Sequence, residues 1–285
     1  MKILVLGDFQ GVFPGKLRKK LEKEEFDIIV GVGDYSGIDD FRPWLKKMFK
    51  MSHAGKGYLS AVEYFGEKGL ERVMKKDENA GKNVLSELNG LGKKVICVFG
   101  NFDDYWYLYP FQKTTNVPKR NLRFVKKLKN LNNITYGYMR QKGINFVGFG
   151  GYMDVSANWK NTRSKEEMER AKKMLVRVNK TKRLLSRLMK KGKPEILVLH
   201  YPPKGVFDII HDKSNPYNGK SAGIDMFRQA VLKYKPRLVL CGHMHEYQGA
   251  KRLGKSLVVN PGDAEKGKYA IVDFTYEKID VRFVE

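Results

Sequence analysis

Six short apolar runs, each ending in glycine or a polar residue, constrain the fold of this chain more than any other feature. They cover residues 2–8, 27–34, 94–101, 144–151, 195–200 and 237–243. Their length and their content of β-branched and aliphatic residues are typical of strands buried on both faces. Helical patterns, such as those at residues 16–24 and 164–190, lie between several of these runs. The alternation of strands and helices predicts an α/β fold.

The longer helical pattern has two different faces. Ser164 and Glu167 have the spacing of a capping box. Apolar residues then recur at helical intervals, at Met168, Ala171, Leu175, Val178, Leu185 and Met189. The remaining positions are strongly basic, which favours a helix that packs one face and exposes the other. A dedicated nucleic-acid-binding helix is the alternative.

Two other segments show different patterns. Residues 256–262, 269–275 and 278–284 are strand-like and are joined by short turns, which predicts neighbouring antiparallel strands. Residues 35–93 contain apolar and aromatic residues but no clear strand. Because no linker or internal repeat separates these parts, we expect a single domain over residues 1–285, with a helical insertion at about residues 35–93.

Composition excludes several classes of protein. The 285 residues are 42% hydrophobic but contain no apolar run of about 18, so no membrane span is expected. The amino-terminal apolar run is too short for a secretory signal, and we expect a cytoplasmic location. Cys97 and Cys241 both lie in apolar runs, which indicates buried free thiols rather than a disulfide or a paired-cysteine zinc site.

The chain is strongly basic. Lys and Arg number 55 against 31 Asp and Glu, which gives a formal net charge of +24. Such an excess attracts anionic partners, so a phosphate-bearing substrate and nucleic acid are both candidates. A lysine-rich surface without a dedicated function explains the same charge equally well.

Polar residues of the metal-binding type follow the apolar runs. Asp8, Asp34, Asn101, His200 and His243 each stand where a strand is predicted to end. Ligands of α/β sheets bind along that edge, so we expect these five side chains to converge. His245 lies two residues beyond His243, close enough to face the same place. Imidazole together with carboxylate and amide oxygens suits first-row divalent ions better than calcium.

The order of these motifs resembles that of the calcineurin-like metallophosphoesterases over nearly the whole chain. The matching motifs are GDFQG (7–11), VGD (32–34), GNFD (100–103), LH (199–200) and GHMH (242–245), with HYPPKG (200–205) and NPG (260–262) as further similarities. The resemblance implies a four-layer fold, in which a two-sheet β-sandwich is flanked by helices. It also implies two divalent metal ions.

Carried over residue by residue, the resemblance assigns the metal ligands and the catalytic residues. One metal ion would take Asp8, residue 10 and His245. The other would take Asn101, His200 and His243, and Asp34 would bridge the two ions. Asp34, Asn101 and His200 are the implied catalytic residues.

Two positions depart from the usual pattern of this family. Residue 10 is Gln10 where histidine is commonest, and its amide oxygen is a harder ligand, so we expect manganese first, with iron, zinc, nickel and magnesium as alternatives. Residue 102 is Phe102 where many members carry a histidine that contacts the phosphate and helps the leaving group depart. Phenylalanine can do neither, so the reaction is expected to be sensitive to the leaving group unless Asp103, Asp104 or Tyr35 supplies the proton.

The function implied is that of a phosphoesterase or phosphodiesterase, in which a hydroxide activated by two metal ions attacks a phosphate ester. A nucleotide is one candidate substrate. Substrate contacts are expected from Asn101, Tyr35, Phe102 and Asp103. The alternatives are a metal-binding scaffold, suggested by Gln10 and Phe102, and a nucleic-acid-binding protein with little turnover.

Overall fold

The computed structural model describes residues 1–57, 59–103, 120–151, 153 and 165–285, with all their side chains except those of residues 120–123 and 165–177. The strands in this part of the chain are β1 (Lys2–Leu6), β2 (Ile28–Gly31), β3 (Lys94–Cys97), β4 (Leu131–Asn133), β5 (Tyr136–Gln141), β6 (Ile144–Phe149), β7 (Ile196–Leu199), β8 (Leu238–Leu240), β9 (Gly249–Leu253), β10 (Ser256–Asn260), β11 (Tyr269–Phe274) and β12 (Ile279–Val284). The α-helices are α1 (Gly15–Leu21), α2 (Arg42–His53), α3 (Ala61–Phe65), α4 (Glu67–Gly90), α5 (Arg120–Lys127), α6 (Lys165–Gly192) and α7 (Asp225–Tyr234).

The strands form two six-stranded sheets. The first has the order β12-β11-β1-β2-β3-β4, and the second has the order β5-β6-β7-β8-β10-β9. In each sheet the central strands are parallel, β1 to β4 in the first and β6, β7, β8 and β10 in the second. Antiparallel strands complete the edges, with β11 and β12 on one side of the first sheet and β5 and β9 on the two sides of the second.

The two sheets pack face to face. Alternate residues of each strand point to opposite faces, and in β1 this places Ile3 and Val5 between the sheets and Leu4 on the outer face. The layer between the sheets also contains Ile196 and Leu238 from the second sheet. The first sheet therefore has a hydrophobic layer on both sides, which explains why its strands read as continuous apolar runs.

Helices cover the two outer faces. On the first sheet, α1 and α4 bury Leu17 and Leu88 in the outer hydrophobic layer. On the second sheet, α6 and α7 bury Leu185, Met189 and Phe227. The architecture is thus helices, sheet, sheet and helices, which confirms the predicted two-sheet sandwich flanked by helices.

Several local expectations need correction. The six apolar runs all contain strands, but each strand ends before its run does, and α1 ends at Leu21 although the pattern continued to residue 24. Residues 256–262 do not pair with 269–275, because β10 lies in the second sheet, parallel to β8, whereas β11 and β12 are antiparallel neighbours in the first. The helix predicted from residue 164 is present as α6, while Ser164 and its capping box lie outside the described residues.

The segment of residues 35–93 is helical. It contains a 3₁₀ turn at Asp39–Phe41 and then α2, α3 and α4, with no strand among its described residues. Helix α4 buries Val84, Leu85 and Leu88, while α2 and α3 bury no residue fully. The segment is therefore anchored by α4 and by its buried first residues, 35–38, while α2 and α3 lie on the surface.

Within the described residues, no helix combines the length and the apolar composition that a membrane crossing requires.

Candidate metal centre

Asp8 and Asp34 lie just beyond the ends of β1 and β2, at the carboxyl edge of the first sheet. Two backbone hydrogen bonds join their loops: Asp8 N donates to Gly33 O at 2.9 Å, and Gln10 N donates to Asp34 O at 3.0 Å. Both carboxyl side chains are buried, at 1% exposed. The parallel pairing of β1 and β2 therefore brings the two carboxylates to one place.

The backbone at this edge adopts an unusual conformation. The φ angles of Asp8, Gln10, Asp34 and His243 are +56°, +49°, +56° and +68°, in the left-handed region that non-glycine residues rarely occupy. Such conformations persist where the surrounding structure enforces them, and they concentrate at functional sites. Gly100 is required for a related reason, because a Cβ atom there would lie 2.0 Å from Asp34 Oδ1.

Asp34 is the residue shared by two groups of potential ligands. One group is Asp34, His200 and His243, and the other is Asp8, Asp34 and His245; in each, one ligand atom per residue lies within 4.8 Å of the others. Asp34 Oδ1 accepts a hydrogen bond from Phe102 N at 3.0 Å. Asp34 Oδ2 is buried and has no hydrogen-bond partner among the described residues, although His200 Nε2 is 3.4 Å away. A buried carboxylate oxygen left in this way is well placed to bind a cation.

The second sheet supplies the histidines of the first group. His200 and His243 follow β7 and β8, which are parallel neighbours. Asn101 Oδ1 lies 2.8 Å from His200 Nε2 and 2.9 Å from His243 Nδ1. His200 Nδ1 donates to Val32 O at 2.8 Å, so Nε2, which faces Asn101 and Asp34, is the ring nitrogen available to a metal ion.

The second group is completed by His245. Its Nε2 lies 3.5 Å from Asp8 Oδ1, and the Asp8 carboxylate also accepts from His243 N at 3.0 and 3.1 Å. The Gln10 amide nitrogen lies 2.8 and 2.9 Å from the two ring nitrogens of His245. Gln10 therefore lies beside His245, while its role as a metal ligand stays a prediction.

Arg42 is a residue of this site that sequence reasoning missed. Its guanidinium donates to Gln10 Oε1 and, at 2.8 Å, to Asp39 Oδ1. Gln10 thus has its oxygen toward Arg42 and its nitrogen toward His245. Nothing in the motif spacing indicated Arg42, since it belongs to α2 and reaches the site only through the fold.

The charges of the site are strongly coupled. Burial by itself lowers the pKa of His200, but Asp34 and Asp8 outweigh it and raise that pKa to about 9. The same balance of burial against Asp8 raises the pKa of His245 to about 9. Burial and the neighbouring His200 hold the pKa of His243 well below its usual value. The carboxylates thus create a negative potential. Protons on the histidines neutralise it in the metal-free protein, and divalent cations would neutralise it more completely.

Two residues expected to contact substrate do not fit that role. Tyr35 is fully buried, with its ring between Phe9 and Phe99 in the hydrophobic layer outside the first sheet. Asp103 is also fully buried, and its carboxylate accepts backbone N–H groups. Asn101 and Phe102 remain partly exposed beside Asp34. Asp104 and the aromatic residues after it lie outside the described residues.

The donor set fits divalent metal ions. It offers two carboxylates, one amide oxygen and three imidazoles at one edge of both sheets, and one buried carboxylate oxygen forms no hydrogen bond within the described part of the chain. The carboxylate and amide oxygens and the neutral imidazoles suit first-row divalent ions. His53 and His211, the two histidines outside the motifs, pack against Tyr217 and Tyr247 instead.

A two-sheet sandwich that gathers these ligands at the carboxyl ends of its strands defines the class of metallophosphoesterases. Residues 1–284 match the family model described as "Metallophosphoesterase, calcineurin superfamily". The chain belongs to this family.

Relatives and structural neighbours extend over nearly the full length. An uncharacterized protein of Methanocaldococcus jannaschii is 28% identical over 286 residues, which cover 96% of this chain and 97% of the relative. The crystal structure of TT1561 of Thermus thermophilus is similar with a TM-score of 0.53 and 16% identity, covering 99% of this chain and 97% of the other. Another crystal structure has a TM-score of 0.59 and 22% identity, covering 99% and 98%. These structural similarities show the fold alone.

Proposed function

We propose that this protein hydrolyses phosphate esters through a dinuclear metal centre. The observation that carries the proposal is the position of Asp34, which belongs to both groups of ligands and has one buried oxygen that forms no hydrogen bond with the described residues. If the site held one metal ion, the second group of buried carboxylate and imidazole side chains would destabilise the fold without a function, because burying charges without a partner costs free energy.

Two divalent cations in such a site acidify a water molecule that they share and neutralise the oxygens of the phosphoryl group. The protein residues supply the geometry. Asp34 would hold both cations, and Phe102 N, which donates to its Oδ1, keeps the carboxylate in place. Val32 O orients His200, and Asn101 presents its oxygen between His200 and His243. These contacts fix the site before substrate binds, which is the condition for electrostatic catalysis.

We favour manganese as the resident metal, with iron, zinc, nickel and magnesium as alternatives, because oxygen donors accompany the imidazoles. Phosphodiesters, including nucleotides, and phosphomonoesters are both candidate substrates. Asn101 and Phe102 are partly exposed beside Asp34, so they could contact the phosphate group of either kind of ester.

Metal loading tests the proposal directly. Protein stripped by a chelator and reloaded with Mn²⁺ is expected to contain two metal ions per chain by elemental analysis. The loaded form, and not the stripped form, should hydrolyse p-nitrophenyl phosphate or its bis-ester, which also separates monoesterase from diesterase activity. Absence of bound metal after reloading overturns the proposal. Two bound ions without turnover on any activated ester support a metal-binding scaffold instead.

Nucleic acid is a candidate partner because the described part of α6 carries a row of exposed basic side chains. Its described side chains include Lys180, Lys182, Arg183, Arg187, Lys190 and Lys191. None of these six forms an ion pair with another described residue. Cations on an exposed helix that lack acidic neighbours are free to meet the phosphates of a polyanion.

Salt dependence decides whether this surface is used. Binding of a fluorescent single-stranded oligonucleotide, measured by anisotropy, should be weak, indifferent to sequence and much weaker at moderate than at low salt. Replacing Lys190 and Lys191 by Glu should reduce the slope of log affinity against log salt by about 1.4, since each phosphate contact to a single strand contributes about 0.7. The matched control replaces the exposed Lys126 and Lys127 of α5 by Glu. A flat salt response, or equal losses in both variants, removes α6 as a nucleic-acid surface.

A further inference from the structure

Asp103 lies at the centre of the loops that carry the candidate metal ligands, yet it points away from them. It is fully buried. Its Oδ2 accepts from Asp34 N at 2.8 Å and from Gly100 N at 2.8 Å. Its Oδ1 accepts from Tyr35 N and Ser36 N, both at 2.9 Å. One carboxylate thus satisfies four backbone donors that no strand or helix would otherwise satisfy.

These four donors come from the two loops that hold Asp34 and Asn101. Three of them are consecutive, from Asp34 to Ser36, in the loop after β2. The fourth is Gly100 N, next to Asn101 in the loop after β3. A hydrogen bond in the opposite direction, from Phe102 N to Asp34 Oδ1 at 3.0 Å, closes the connection. The position of the Asp34 carboxylate relative to Asn101 therefore depends on Asp103.

We propose that Asp103 is a positioning residue, which ties the loop of Asp34 to the loop of Asn101 and so sets the spacing of the two groups of metal ligands. This inference concerns the binding of metal ions, and it rests on the proposed function only for the role of those ions in catalysis. Groups that orient metal ligands from behind contribute about 10–100-fold to metal affinity or activity when they are removed. The same geometry argues against a direct role, because both Asp103 oxygens are occupied by backbone donors.

An ionised carboxylate is the side chain that these donors require. Each of its oxygens accepts two N–H groups, whereas an asparagine of the same shape would turn an NH₂ group toward two of the donors. The loops have little freedom to relax, since a Cβ atom at Gly33 would already lie 2.7 Å from Gly100 N. A substitution at residue 103 should consequently move Asp34 and Asn101 rather than be absorbed by the loops.

Asp103→Asn tests the proposal when metal binding is measured instead of turnover. Titration of stripped protein with Mn²⁺ by calorimetry is expected to show affinity weakened by about 10–100-fold relative to the unmodified protein. Asp208→Asn is the matched control: Asp208 is also buried and accepts from Gly205 N at 2.9 Å and from the Ser221 hydroxyl, and neither partner is next to a predicted metal ligand in the sequence. The control should lose thermal stability while keeping its metal affinity. Equal affinity in Asp103→Asn and unmodified protein overturns the proposal.

Hydrogen exchange tests the same point without a variant, in case Asp103→Asn does not fold. In the stripped unmodified protein, the amides of Asp34, Tyr35, Ser36 and Gly100 should exchange slowly although they lie in loops, because Asp103 accepts all four. Rapid exchange at these amides overturns the proposal. Slow exchange in a protein that binds no metal would contradict the proposed function and leave the positioning of the loops supported, so the two failures are distinguishable.

Discussion

Replacing Asp34 by Asn is expected to reduce kcat/KM for an activated phosphate ester by at least about 10³-fold, since the shared anionic ligand is the group on which the arrangement of both cations depends. His200→Ala should have a similar effect, because it removes an imidazole whose Nε2 faces Asn101 Oδ1 at 2.8 Å. The measurement is steady-state hydrolysis of p-nitrophenyl esters by metal-loaded protein, with bound metal determined in the same samples.

The fold should survive the Asp34→Asn substitution. The asparagine oxygen can still accept from Phe102 N, but the change removes the negative charge that lies 3.4 Å from His200 Nε2. The metal-free variant should therefore stay folded, with a melting temperature moderately below that of the metal-free parent. Asp27→Asn and His211→Ala, at exposed or half-exposed positions away from the motifs, are the matched controls and should retain activity. Full activity in metal-loaded Asp34→Asn would contradict the bridging role.

The central strands could be predicted because burial on both faces leaves a local record in the sequence. Residues such as Ile3 and Leu4 are both buried, one in each hydrophobic layer, so the run has no polar interruption. β5 and β9 left no such record: they are edge strands whose side chains are mostly half-exposed or exposed. The assignment of β10 to the second sheet was missed for a different reason, since pairing with β8 is a long-range choice that the strand's own residues do not specify.

The candidate ligands could be predicted for the same reason as the strands. Each follows an apolar run, and parallel strands place their carboxyl ends together. The contacts that orient these ligands could not be predicted, because they use backbone atoms from distant parts of the chain, such as Val32 O beside His200. Proximity to Phe102 in the sequence suggested that Asp103 replaces a missing acid, whereas the structure turns its carboxylate toward backbone amides. The motif pattern contains no information on that direction.

Phe102 has a partly exposed side chain next to Asp34, to which its backbone N–H is bound, and it offers no proton for a departing oxygen. The structure also removes two of the replacements considered, because Tyr35 and Asp103 are fully buried. The rate should therefore fall steeply as the pKa of the leaving group rises, and Phe102→His should accelerate poor leaving groups selectively, by up to about 10²-fold. The lower end of the range for general acid catalysis applies because no described residues are arranged to orient the new imidazole.

Phe102→Leu, which removes the ring without adding a proton donor, is the control and should keep the steep dependence. The measurement is log kcat/KM against leaving-group pKa for the three proteins loaded with the same metal. A shallow slope in the unmodified protein would show that another acid is present, and Asp104 would be the next residue to replace.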